Sequence, residues 1–462
     1  MKNGRVAEVA APRGGLAGTV AAIPSKSHAH RALICAVLSE TPSRVVCAQP
    51  SADILATVSC LRALGADITA DAGGFKVIPI QRESGSMQEL VDLPCGESGT
   101  TLRLLLPVVG ALGRSARFHR EGRLAQRPLS PLYEELVAHG CQVSDPSVEP
   151  LTLSGQLEPG VFSLAGSVSS QFISGLLLAF PLLAGPSELQ VVGTLESRPY
   201  VDMTMAALRD SGIEVTFDGE VFCCAGSQTY QVSAEVIVEG DWSNAAFWLC
   251  AGALGERPVT VTGLAGDSLQ GDRAILEILR RFGARVEQAG DAVTTQGGAL
   301  QGIEIDAHDI PDLVPALAVV AAATSGQTVI TGAARLRLKE SDRLAAVCDV
   351  LGRLGADVKE TGDGLLIQGG QRLHAATVDA WGDHRIAMMA AIASLWCEGP
   401  VTITGADAVS KSYPQFFEDL EALGGKVNCL DPATNAQDDI QPDGSFCAKS
   451  QNPETTKKGQ LS

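Results

Sequence analysis

The sequence predicts an α/β protein of two domains, built from six repeated units in which strands and helices alternate. Three observations lead to this class: a short phrase that recurs six times, a second set of apolar helices with the same spacing, and β-rich segments between them. The chain has 462 residues, 45% of them hydrophobic, which is enough for about two or three domains with buried cores.

The recurring phrase consists of a helix end, a glycine and a strand, as in LRALGADI and LGRLGADV. The six versions begin at Leu61, Leu136, Leu208, Leu279, Leu351 and Leu420, and their glycines are Gly65, Gly140, Gly212, Gly283, Gly355 and Gly424. Glycine is typical of a helix C-terminus because it adopts the left-handed conformation without steric cost. The period of about 70 residues exceeds that of solenoid repeats and indicates a small subdomain.

Each unit carries a second, more apolar helix that opens at a residue favoured at helix N-termini. The predicted openings are Ser27, Ser98, Ser169, Ser243, Asp312 and Asp383. Helices as apolar as LRLLLPVVGAL must be buried, while the helices of the glycine phrase are more polar and should face solvent. Segments such as PVTVTGL are typical of strands that enter turns. We expect three units in each domain, with the change between domains near residues 238–244.

The formal net charge of −18 argues against a nucleic-acid or anionic-membrane surface, so any bound anion needs a local basic pocket. No apolar run is long enough to span a bilayer and the first residues lack a signal-peptide pattern, which predicts a cytoplasmic protein. The 12 cysteines show no C-x-x-C pair and no zinc spacing, so we expect reduced thiols and no metal. The polar segment 428–462 predicts a disordered tail.

Basic side chains gather at the starts of the apolar helices, beside hydroxyls and small residues. Lys26 and Arg31 lie in SKSHAHR, Arg103 in CGESGTTLR and Arg385 in WGDHR. A helix N-terminus has free N–H groups and partial positive charge, so added cations make it an anion site. The loops before the other helices supply Arg127, Lys339, Arg343 and Lys411. Each alone is usually a solvated surface charge, but together they indicate a site for several negative groups.

Two acidic residues are candidates for proton transfer. Asp312 follows Pro311 at a helix start, where capping is its ordinary role, and Glu340 lies between two cations, where ion pairing is ordinary. A pocket for phosphates and carboxylates that also moves protons needs a base and an acid, and no nucleophile triad or metal set is evident elsewhere. We therefore predict acid–base roles for both. His384 is a candidate for orienting its neighbours.

Ten segments, in order and spacing, resemble those of the 5-enolpyruvylshikimate-3-phosphate synthases, also called 3-phosphoshikimate 1-carboxyvinyltransferases. They are PSKSHAHRAL, GESGTTLRLL, RPLSPL, GSVSSQF, SRPYVDMT, EGDWSNAAF, IPDLVPALAV, RLKESDRL, WGDHRIAM and VSKSYPQFF, and they cover residues 9–427. The resemblance implies a two-domain inside-out α/β barrel, each domain three βαβαββ repeats around buried parallel helices. It implies one lobe of residues 24–238, a second of residues 1–23 plus 239–427, and the tail 428–462.

The activity that the resemblance implies is transfer of the enolpyruvyl (carboxyvinyl) group of phosphoenolpyruvate to the 5-hydroxyl of shikimate 3-phosphate, with release of phosphate. This reaction belongs to the shikimate pathway, which leads to chorismate and the aromatic amino acids. The family implies a cytoplasmic monomer that needs no cofactor. Gly99 is the small residue that the family uses where glyphosate lies, so we expect sensitivity to that inhibitor.

The resemblance also implies the site residues. Those for shikimate 3-phosphate are Lys26, Ser27, Arg31, Ser169, Ser170, Gln171, Ser197, Asp312, Arg335 and Lys339. Those for phosphoenolpyruvate are Lys26, Gly99, Arg127, Gln171, Arg343, Arg385 and Lys411. By the same resemblance Asp312 is the base for the hydroxyl, Glu340 carries the proton to and from the methylene carbon, and Lys26 balances the departing phosphate. These sets overlap the basic residues found at helix starts and loops.

Two positions depart from the commonest pattern of the family. Glu97 stands where asparagine is frequent and places an anion near the donor site, so we expect its side chain to turn away. Arg335 stands where an asparagine often contacts the shikimate phosphate, and we expect arginine to preserve or strengthen that contact.

Two alternatives compete with this interpretation. UDP-N-acetylglucosamine enolpyruvyl transferase shares the fold and the donor, but normally carries a reactive cysteine on the loop that here reads GRSARFHREGRLAQRP, and an asparagine where this chain has Ser27. A non-catalytic repeat scaffold that binds phosphorylated metabolites would tolerate loss of Asp312 and Glu340.

Overall fold

The computed structural model describes residues 5–12, 14–81 and 90–430. The strands are β1 (Val6–Ala10), β2 (Gly18–Ala21), β3 (Ser43–Val46), β4 (Asp67–Asp71), β5 (Gly74–Ile78), β6 (Leu90–Gly96), β7 (Ser115–Arg120), β8 (Cys141–Val143), β9 (Leu151–Gly155), β10 (Val161–Ala165), β11 (Ser187–Val192), β12 (Val215–Phe217), β13 (Val221–Cys224), β14 (Glu235–Ile237), β15 (Val259–Thr262), β16 (Arg285–Ala289), β17 (Ala292–Gln296), β18 (Glu304–Asp306), β19 (Gln327–Thr331), β20 (Asp357–Glu360), β21 (Leu365–Gln368), β22 (Leu373–His374), β23 (Thr377–Asp379), β24 (Cys397–Glu398), β25 (Val401–Thr404) and β26 (Lys426–Leu430). The α-helices are α1 (Lys26–Leu38), α2 (Ala52–Ala63), α3 (Gly99–Ala111), α4 (Leu132–Ala138), α5 (Ser170–Ala179), α6 (Arg198–Asp210), α7 (Trp242–Leu254), α8 (Ile275–Phe282), α9 (Val314–Ala323), α10 (Arg343–Arg353), α11 (His384–Ala393) and α12 (Phe416–Ala422). None of these helices is both long and apolar enough to cross a membrane.

The four-stranded sheets share one pattern of pairing. In the sheet β6-β7-β9-β8, the strands β6 and β7 are parallel and the other two pairings are antiparallel. Helix α3 therefore connects the parallel strands, and α4 leads into the closing hairpin. The same order recurs in β10-β11-β13-β12 and in β18-β19-β21-β20, so each of these sheets is one βαβαββ unit.

Three further sheets are completed by a strand from a distant part of the chain. Strand β14 pairs with β3, β2 pairs with β15, and β1 lies between β25 and β26. The chain therefore passes twice between the two halves of the molecule, and the two passages run side by side. There the Asp241 amide donates to the Ile23 carbonyl and the Ser25 amide to the Glu239 carbonyl, both at 2.8 Å.

Strand β26 also corrects the predicted start of the polar tail. Its last residues, 428–430, pair with β1 and so belong to a sheet, because β1 offers a free edge there. The remainder of the predicted tail, residues 431–462, lies outside the described residues.

Two separate hydrophobic cores fill the molecule. The first core draws its buried residues from 29–238, and the second core draws them from 7–23 and 242–423. The apolar helices α1, α3, α5, α7, α9 and α11 lie inside these cores, and every residue of α9 is buried. The helices between them bury only one side, as α8 does with Ile275, Leu279 and Phe282. The two predicted classes of helix are thus present, because an apolar surface on all sides must be covered on all sides.

The six glycines of the recurring phrase each end a helix. All of them have positive φ, between 72° and 101°. A residue with a Cβ would be strained in that left-handed region, which is why the phrase keeps glycine at one position in every unit.

The predicted helix starts are correct at three positions. Ser98, Ser169 and Asp383 are the N-caps of α3, α5 and α11, and each side chain accepts a hydrogen bond from a first-turn amide. Such a cap satisfies a backbone donor that has no partner within the helix.

The other three predicted starts are wrong. Ser25 rather than Ser27 caps α1 by accepting from the His28 amide, and Asp241 rather than Ser243 caps α7 by accepting from the Asn244 amide. In both cases a competing acceptor two residues earlier makes the bond. Asp312 lies in a 3-10 turn, Pro311–Leu313, that precedes α9, and it caps no helix. Its carboxylate is therefore available to side chains around it.

Candidate active site

A cleft lies between the two cores, where the starts of buried helices from both sides face each other. The first core contributes Lys26, Ser27, Arg31, Gly99, Arg127, Ser169, Ser170, Gln171 and Ser197 to its lining. The second core contributes Asp312, Arg335, Lys339, Glu340, Arg343, His384 and Arg385. The structure therefore brings together the site residues predicted from the sequence, with the exception of Lys411.

Lys411 does not line the cleft, because other groups hold its ammonium. Its Nζ lies 2.8 Å from Glu97 Oε2 and 2.7 Å from the carbonyl oxygen of Gly382. Glu97 is likewise absent from the lining. The acidic residue expected to turn away from the donor site thus forms an ion pair, across the two cores, with a predicted donor ligand.

Lys26 joins the two halves at the first turn of α1. Its backbone amide donates to Asp241 Oδ2 at 3.1 Å, and its Nζ lies 2.8 Å from Asp53 Oδ2. Burial alone would lower the pKa of Lys26, but Asp53 and Glu340 outweigh it and raise that pKa. The side chain therefore remains a cation inside the cleft.

The buried guanidinium of Arg31 donates hydrogen bonds only to uncharged oxygens among the described residues. It donates to Thr204 Oγ1 at 2.8 Å, to the Ser27 carbonyl at 2.6 Å and to the Tyr200 carbonyl at 2.7 Å. Among the described residues no carboxylate pairs with it. Burial lowers its pKa to about 10, which still leaves it charged at neutral pH. An anionic ligand would supply the missing counter-charge.

Arg103 and Gln171 form a hydrogen-bonded pair in the lining of the cleft. Arg103 donates to Gln171 Oε1 at 2.9 Å and to the Pro128 carbonyl at 3.1 Å, while Gln171 Nε2 donates to Thr100 Oγ1 at 2.8 Å. Both ends of the Gln171 amide are thereby held. Burial and the neighbouring Arg127 lower the pKa of Arg103 well below its ordinary value, so a nearby anion would stabilise its charge.

Arg343 occupies the centre of the second core's side of the cleft. It donates to Asp312 Oδ1 at 2.7 Å, to Glu340 Oε2 at 2.8 Å and to Asp383 Oδ2 at 2.8 Å. Asp383 is fixed in turn because it caps α11. The buried guanidinium thus sets the distance between the two carboxylates that were predicted to move protons.

The two candidate acid–base groups are both ionised in this arrangement. Burial would raise the pKa of Asp312, but Arg385, Lys339 and Arg343 hold it well below its usual range. Burial would also raise the pKa of Glu340, but Arg343 and Arg127 hold that pKa well below its usual range. Asp312 is therefore in the form that can accept a proton, but the neighbouring cations make it a weak base. Glu340 must first gain a proton before it can donate one.

The charges of Arg335 and Lys339 depend on their neighbours. Arg335 donates to Ser197 Oγ at 2.5 Å and forms an ion pair with Glu196, so part of its charge is compensated within the chain. Lys339 Nζ lies 3.6 Å from Asp312 Oδ1, and burial lowers the pKa of Lys339 to about 8. Both remain cationic at neutral pH and line the cleft.

Several lining residues were missed in the sequence. They are Asp53, Thr100, Tyr200, Asp241, Gln270 and Asp272. Tyr200 lies within SRPYVDMT, so its segment was available as a signal, but nothing in the local sequence marks Asp53 or Asp272. With these included, the lining holds eight basic and five acidic side chains. An acidic chain thus contains a locally positive cleft.

Comparison with known proteins identifies the family. The family model of EPSP synthase (3-phosphoshikimate 1-carboxyvinyltransferase) matches residues 10–420. The 3-phosphoshikimate 1-carboxyvinyltransferase of Clostridium acetobutylicum is 44% identical over 416 residues, covering 89% of this chain and 96% of the relative. That of Clostridium kluyveri is 42% identical over 417 residues, with the same coverage of 89% and 96%.

Solved structures give the fold. The structure of EPSP synthase from Acinetobacter baumannii superimposes with a TM-score of 0.76 at 26% identity, covering 92% of this chain and 100% of that one. The enolpyruvyl transferase NikO from Streptomyces tendae has a TM-score of 0.75 at 21% identity, covering 93% and 99%, which is a likeness of fold alone. The predicted two-domain inside-out α/β fold and the predicted family are confirmed. The chain belongs to the EPSP synthase family.

Proposed function

We propose that this chain is an enzyme that transfers the enolpyruvyl group of phosphoenolpyruvate to the 5-hydroxyl of shikimate 3-phosphate, on the route to chorismate and aromatic amino acids. The observation that carries the proposal is the cleft, in which a surplus of buried cations surrounds two ionised carboxylates in a chain of net charge −18. Phosphates and carboxylates are the ligands that such cations bind most strongly.

The acceptor is assigned to the part of the cleft nearest α5 and α6. Shikimate 3-phosphate would contact Lys26, Ser27, Arg31, Ser169, Ser170, Gln171, Ser197, Asp312, Arg335 and Lys339. Serine hydroxyls and the free amides at the start of α5 donate to phosphate oxygens, and Arg31 gains the counter-charge that the chain does not give it. Asp312 faces the hydroxyl that reacts.

The donor is assigned to the part between α3 and α10. Phosphoenolpyruvate would contact Lys26, Gly99, Arg127, Gln171, Arg343, Arg385 and Lys411. The paired N–H donors of arginine match the geometry of carboxylate and phosphate groups. They would therefore orient a small molecule that carries one of each. For Lys411 to take part, its ammonium must leave or share its contact with Glu97.

The reaction has three steps, which are protonation, addition and elimination. Phosphoenolpyruvate gains a proton at its methylene carbon, which leaves its C2 cationic. The 5-hydroxyl oxygen of the acceptor bonds to C2, and Asp312 takes the hydroxyl proton. The tetrahedral adduct then loses phosphate from C2 and a proton from its methyl group, which restores the double bond as an enol ether. Lys26 balances the charge of the departing phosphate.

Glu340 is assigned to both proton transfers at the methyl carbon. In the empty cleft the surrounding cations keep it ionised. When two anionic substrates bind, their charges offset Arg343, Arg127 and Lys26, so the pKa of Glu340 rises and the group can take up a proton. Substrate binding would thus convert Glu340 into the acid that the first step needs.

We further propose that the chain acts as a cytoplasmic monomer of two domains, with residues 24–238 in one and residues 1–23 plus 239–427 in the other. The support for the boundaries is that buried apolar residues fall into two clusters with the same division. The support for a monomer is the resemblance to the family. Free cysteines are usual in a reducing compartment, and seven of those in the described residues are buried in the cores.

Measured release of phosphate from phosphoenolpyruvate tests the proposal, with shikimate 3-phosphate or UDP-N-acetylglucosamine as the acceptor. We expect release with shikimate 3-phosphate only, and a loss of at least about 100-fold in kcat for Asp312→Asn, since general base catalysis contributes about that much. Release with UDP-N-acetylglucosamine alone would establish the rival transferase. Binding of both substrates without any phosphate release would establish the non-catalytic scaffold.

A further inference from the structure

A buried carboxylate with no part in the steps above borders the cleft. Asp272 lies in the 3-10 turn Gly271–Ala274, just before α8, and is 3% exposed. Its Oδ2 accepts a short hydrogen bond from the Ser243 hydroxyl, and the Tyr200 hydroxyl lies 3.5 Å from the same oxygen. Its Oδ1 has no hydrogen-bond partner among the described residues.

Each neighbour connects Asp272 to a residue of the proposed reaction. Ser243 Oγ, which donates to Asp272, accepts from Arg385 Nη2 at 2.9 Å. The Tyr200 hydroxyl donates to Asp312 Oδ2 at 2.9 Å. One side chain, Ser243, therefore lies between Asp272 and Arg385, which is a proposed ligand of phosphoenolpyruvate. Another, Tyr200, lies between Asp272 and Asp312, which is the proposed base.

The charged groups that act most strongly on Asp272 come from three elements. Asp312 faces it from the turn before α9, Arg385 from α11 and Asp241 from the start of α7. The Tyr200 hydroxyl of α6 also faces it. Burial and the charge of Asp312 raise the pKa of Asp272 to about 7, against the opposing effect of Arg385. Two neighbouring carboxylates thus have pKa values displaced in opposite directions, which is typical of acid–base sites.

We propose that Asp272 is a positioning residue for the transfer, which aims the Arg385 guanidinium through Ser243 and lies against the Tyr200 hydroxyl that holds the Asp312 carboxylate. The inference rests on the proposed function, because it assigns Asp272 to the donor and acceptor groups named there. An ionised carboxylate accepts stronger hydrogen bonds than a protonated one. The single Tyr200 proton goes to Asp312, so the hydrogen bond that depends on acceptance by Asp272 is the one from Ser243. Protonation of Asp272 therefore weakens its hold on Ser243 and, through Ser243, on Arg385, and the reaction slows.

The variant Asp272→Asn in the full-length chain tests this, because it keeps the shape and removes the charge. For the wild type we expect kcat/KM for phosphoenolpyruvate, which reports the ionisations of the free enzyme, to rise with pH through about 7 as Asp272 ionises. For the variant we expect kcat to be lower by about 10- to 100-fold, as for other residues that orient active-site groups. We also expect this limb of the pH profile to disappear, which a merely structural role would not cause.

A matched control is Glu277→Gln, the same change of carboxylate to amide at an exposed side chain of α8. It should keep the wild-type kcat and pH profile. If Asp272→Asn unfolds at the wild-type Tm and keeps both the wild-type kcat and the limb near pH 7, the proposal is overturned.

Two further variants test the Ser243 and Tyr200 contacts separately. They test the proposal even if Asp272→Asn does not fold. Ser243→Ala should raise the KM for phosphoenolpyruvate, and Tyr200→Phe should lower kcat. Wild-type kinetics in Ser243→Ala would overturn the proposal. A wild-type chain that releases no phosphate with shikimate 3-phosphate would instead refute the proposed function itself, so the two failures are distinguishable.

Discussion

Arg343 contacts three carboxylates at once, and only a planar guanidinium can do so in fixed directions. In Arg343→Lys the charge remains, but most of these bonds are lost and at least one buried carboxylate is left without a partner. Breaking a buried ion pair costs about 3–5 kcal/mol, so we expect a lower Tm and a loss of at least about 100-fold in kcat/KM for phosphoenolpyruvate.

The control for this change is Arg353→Lys on the same helix, α10. Arg353 forms an exposed ion pair with Asp349 at 2.7 Å, and an exposed pair contributes about 1 kcal/mol or less. Steady-state kinetics and thermal unfolding of both variants are the measurement. Equal behaviour of the two variants would contradict the central position given to Arg343.

Glu97 compensates the charge of Lys411. Removal of the Glu97 charge should therefore strengthen the binding of phosphoenolpyruvate. In Glu97→Gln we expect the KM for phosphoenolpyruvate to fall by up to about fivefold at low salt, since a partly exposed ion pair contributes about 1 kcal/mol or less. The control is Glu121→Gln, an exposed carboxylate nearby in the sequence. A higher KM in Glu97→Gln than in the control would mean that the ion pair aids donor binding.

At the scale of single residues, the sequence predicted the basic lining well because each cation lies in a recognisable segment. Asp53 and Asp272 could not be predicted in the same way. Asp53 acquires its role by meeting Lys26, 27 residues earlier, and Asp272 by meeting Tyr200, 72 residues earlier. Such roles depend on tertiary contacts that local spacing does not contain.

Among the elements, α3 illustrates how a helix start serves both stability and binding. Ser98 caps α3 by accepting from the Thr101 amide at 3.2 Å. Ser98→Ala should lower the free energy of unfolding by about 1 kcal/mol, the usual cost of losing such a cap. Chemical denaturation measures it. Ser59→Ala, within α2, is the control and should cost nothing, because alanine is the better helix former there.

The next residue of α3 sets the space beside the donor site. A Cβ on Gly99 would lie 2.5 Å from Arg127 Nη1, so Gly99→Ala must displace the guanidinium. We expect a KM for phosphoenolpyruvate that is higher by about tenfold, which corresponds to about 1.4 kcal/mol. We also expect glyphosate to inhibit the wild type in competition with phosphoenolpyruvate, and to inhibit Gly99→Ala less.

Gly352→Ala in α10 is the control, because a Cβ there meets nothing within 4 Å. It should leave the KM and the inhibition unchanged. Full wild-type turnover at high glyphosate concentration would contradict the assignment of Gly99 to the donor site.

The helix starts also show where sequence patterns lose precision. Periodicity identified both classes of helix, because burial on one side or on all sides is visible in local composition. It placed the caps of α1 and α7 two residues too late, because each stretch offers two polar candidates. Which of them accepts the first amide depends on backbone direction, which composition does not encode.

At the scale of the whole molecule, the two cores meet across the cleft through the residues that are assigned to the substrates. Arg127 Nη1 lies 3.6 Å from Glu340 Oε1, and the Tyr200 hydroxyl bonds to Asp312. A ligand held from both sides should therefore stabilise the whole fold. At 100 times its Kd, shikimate 3-phosphate should add about 2.7 kcal/mol to the free energy of unfolding, measured as a rise in Tm.

UDP-N-acetylglucosamine at the same concentration is the control ligand and should leave Tm unchanged. Arg31→Met should reduce the rise caused by shikimate 3-phosphate, because its buried charge has no carboxylate partner among the described residues. A rise of equal size for both ligands would contradict the assignment of the acceptor.

The overall plan of repeated units followed from the recurring phrase, but the strands that complete three of the sheets did not. Val20 pairs with Val261 and Val236 with Val45, across separations that no local pattern reveals. Those pairings place the starts of helices from both cores around one cleft, and so they decide the geometry of the site.

The central claim is that the basic lining of this cleft holds both substrates around Asp312. A crystal structure of Asp312→Asn with shikimate 3-phosphate and phosphoenolpyruvate bound tests it most directly. We expect the acceptor phosphate beside Ser169 and Ser197, and the donor between Arg127 and Arg385. Either substrate bound outside the cleft, or bound without contact to these side chains, would contradict it.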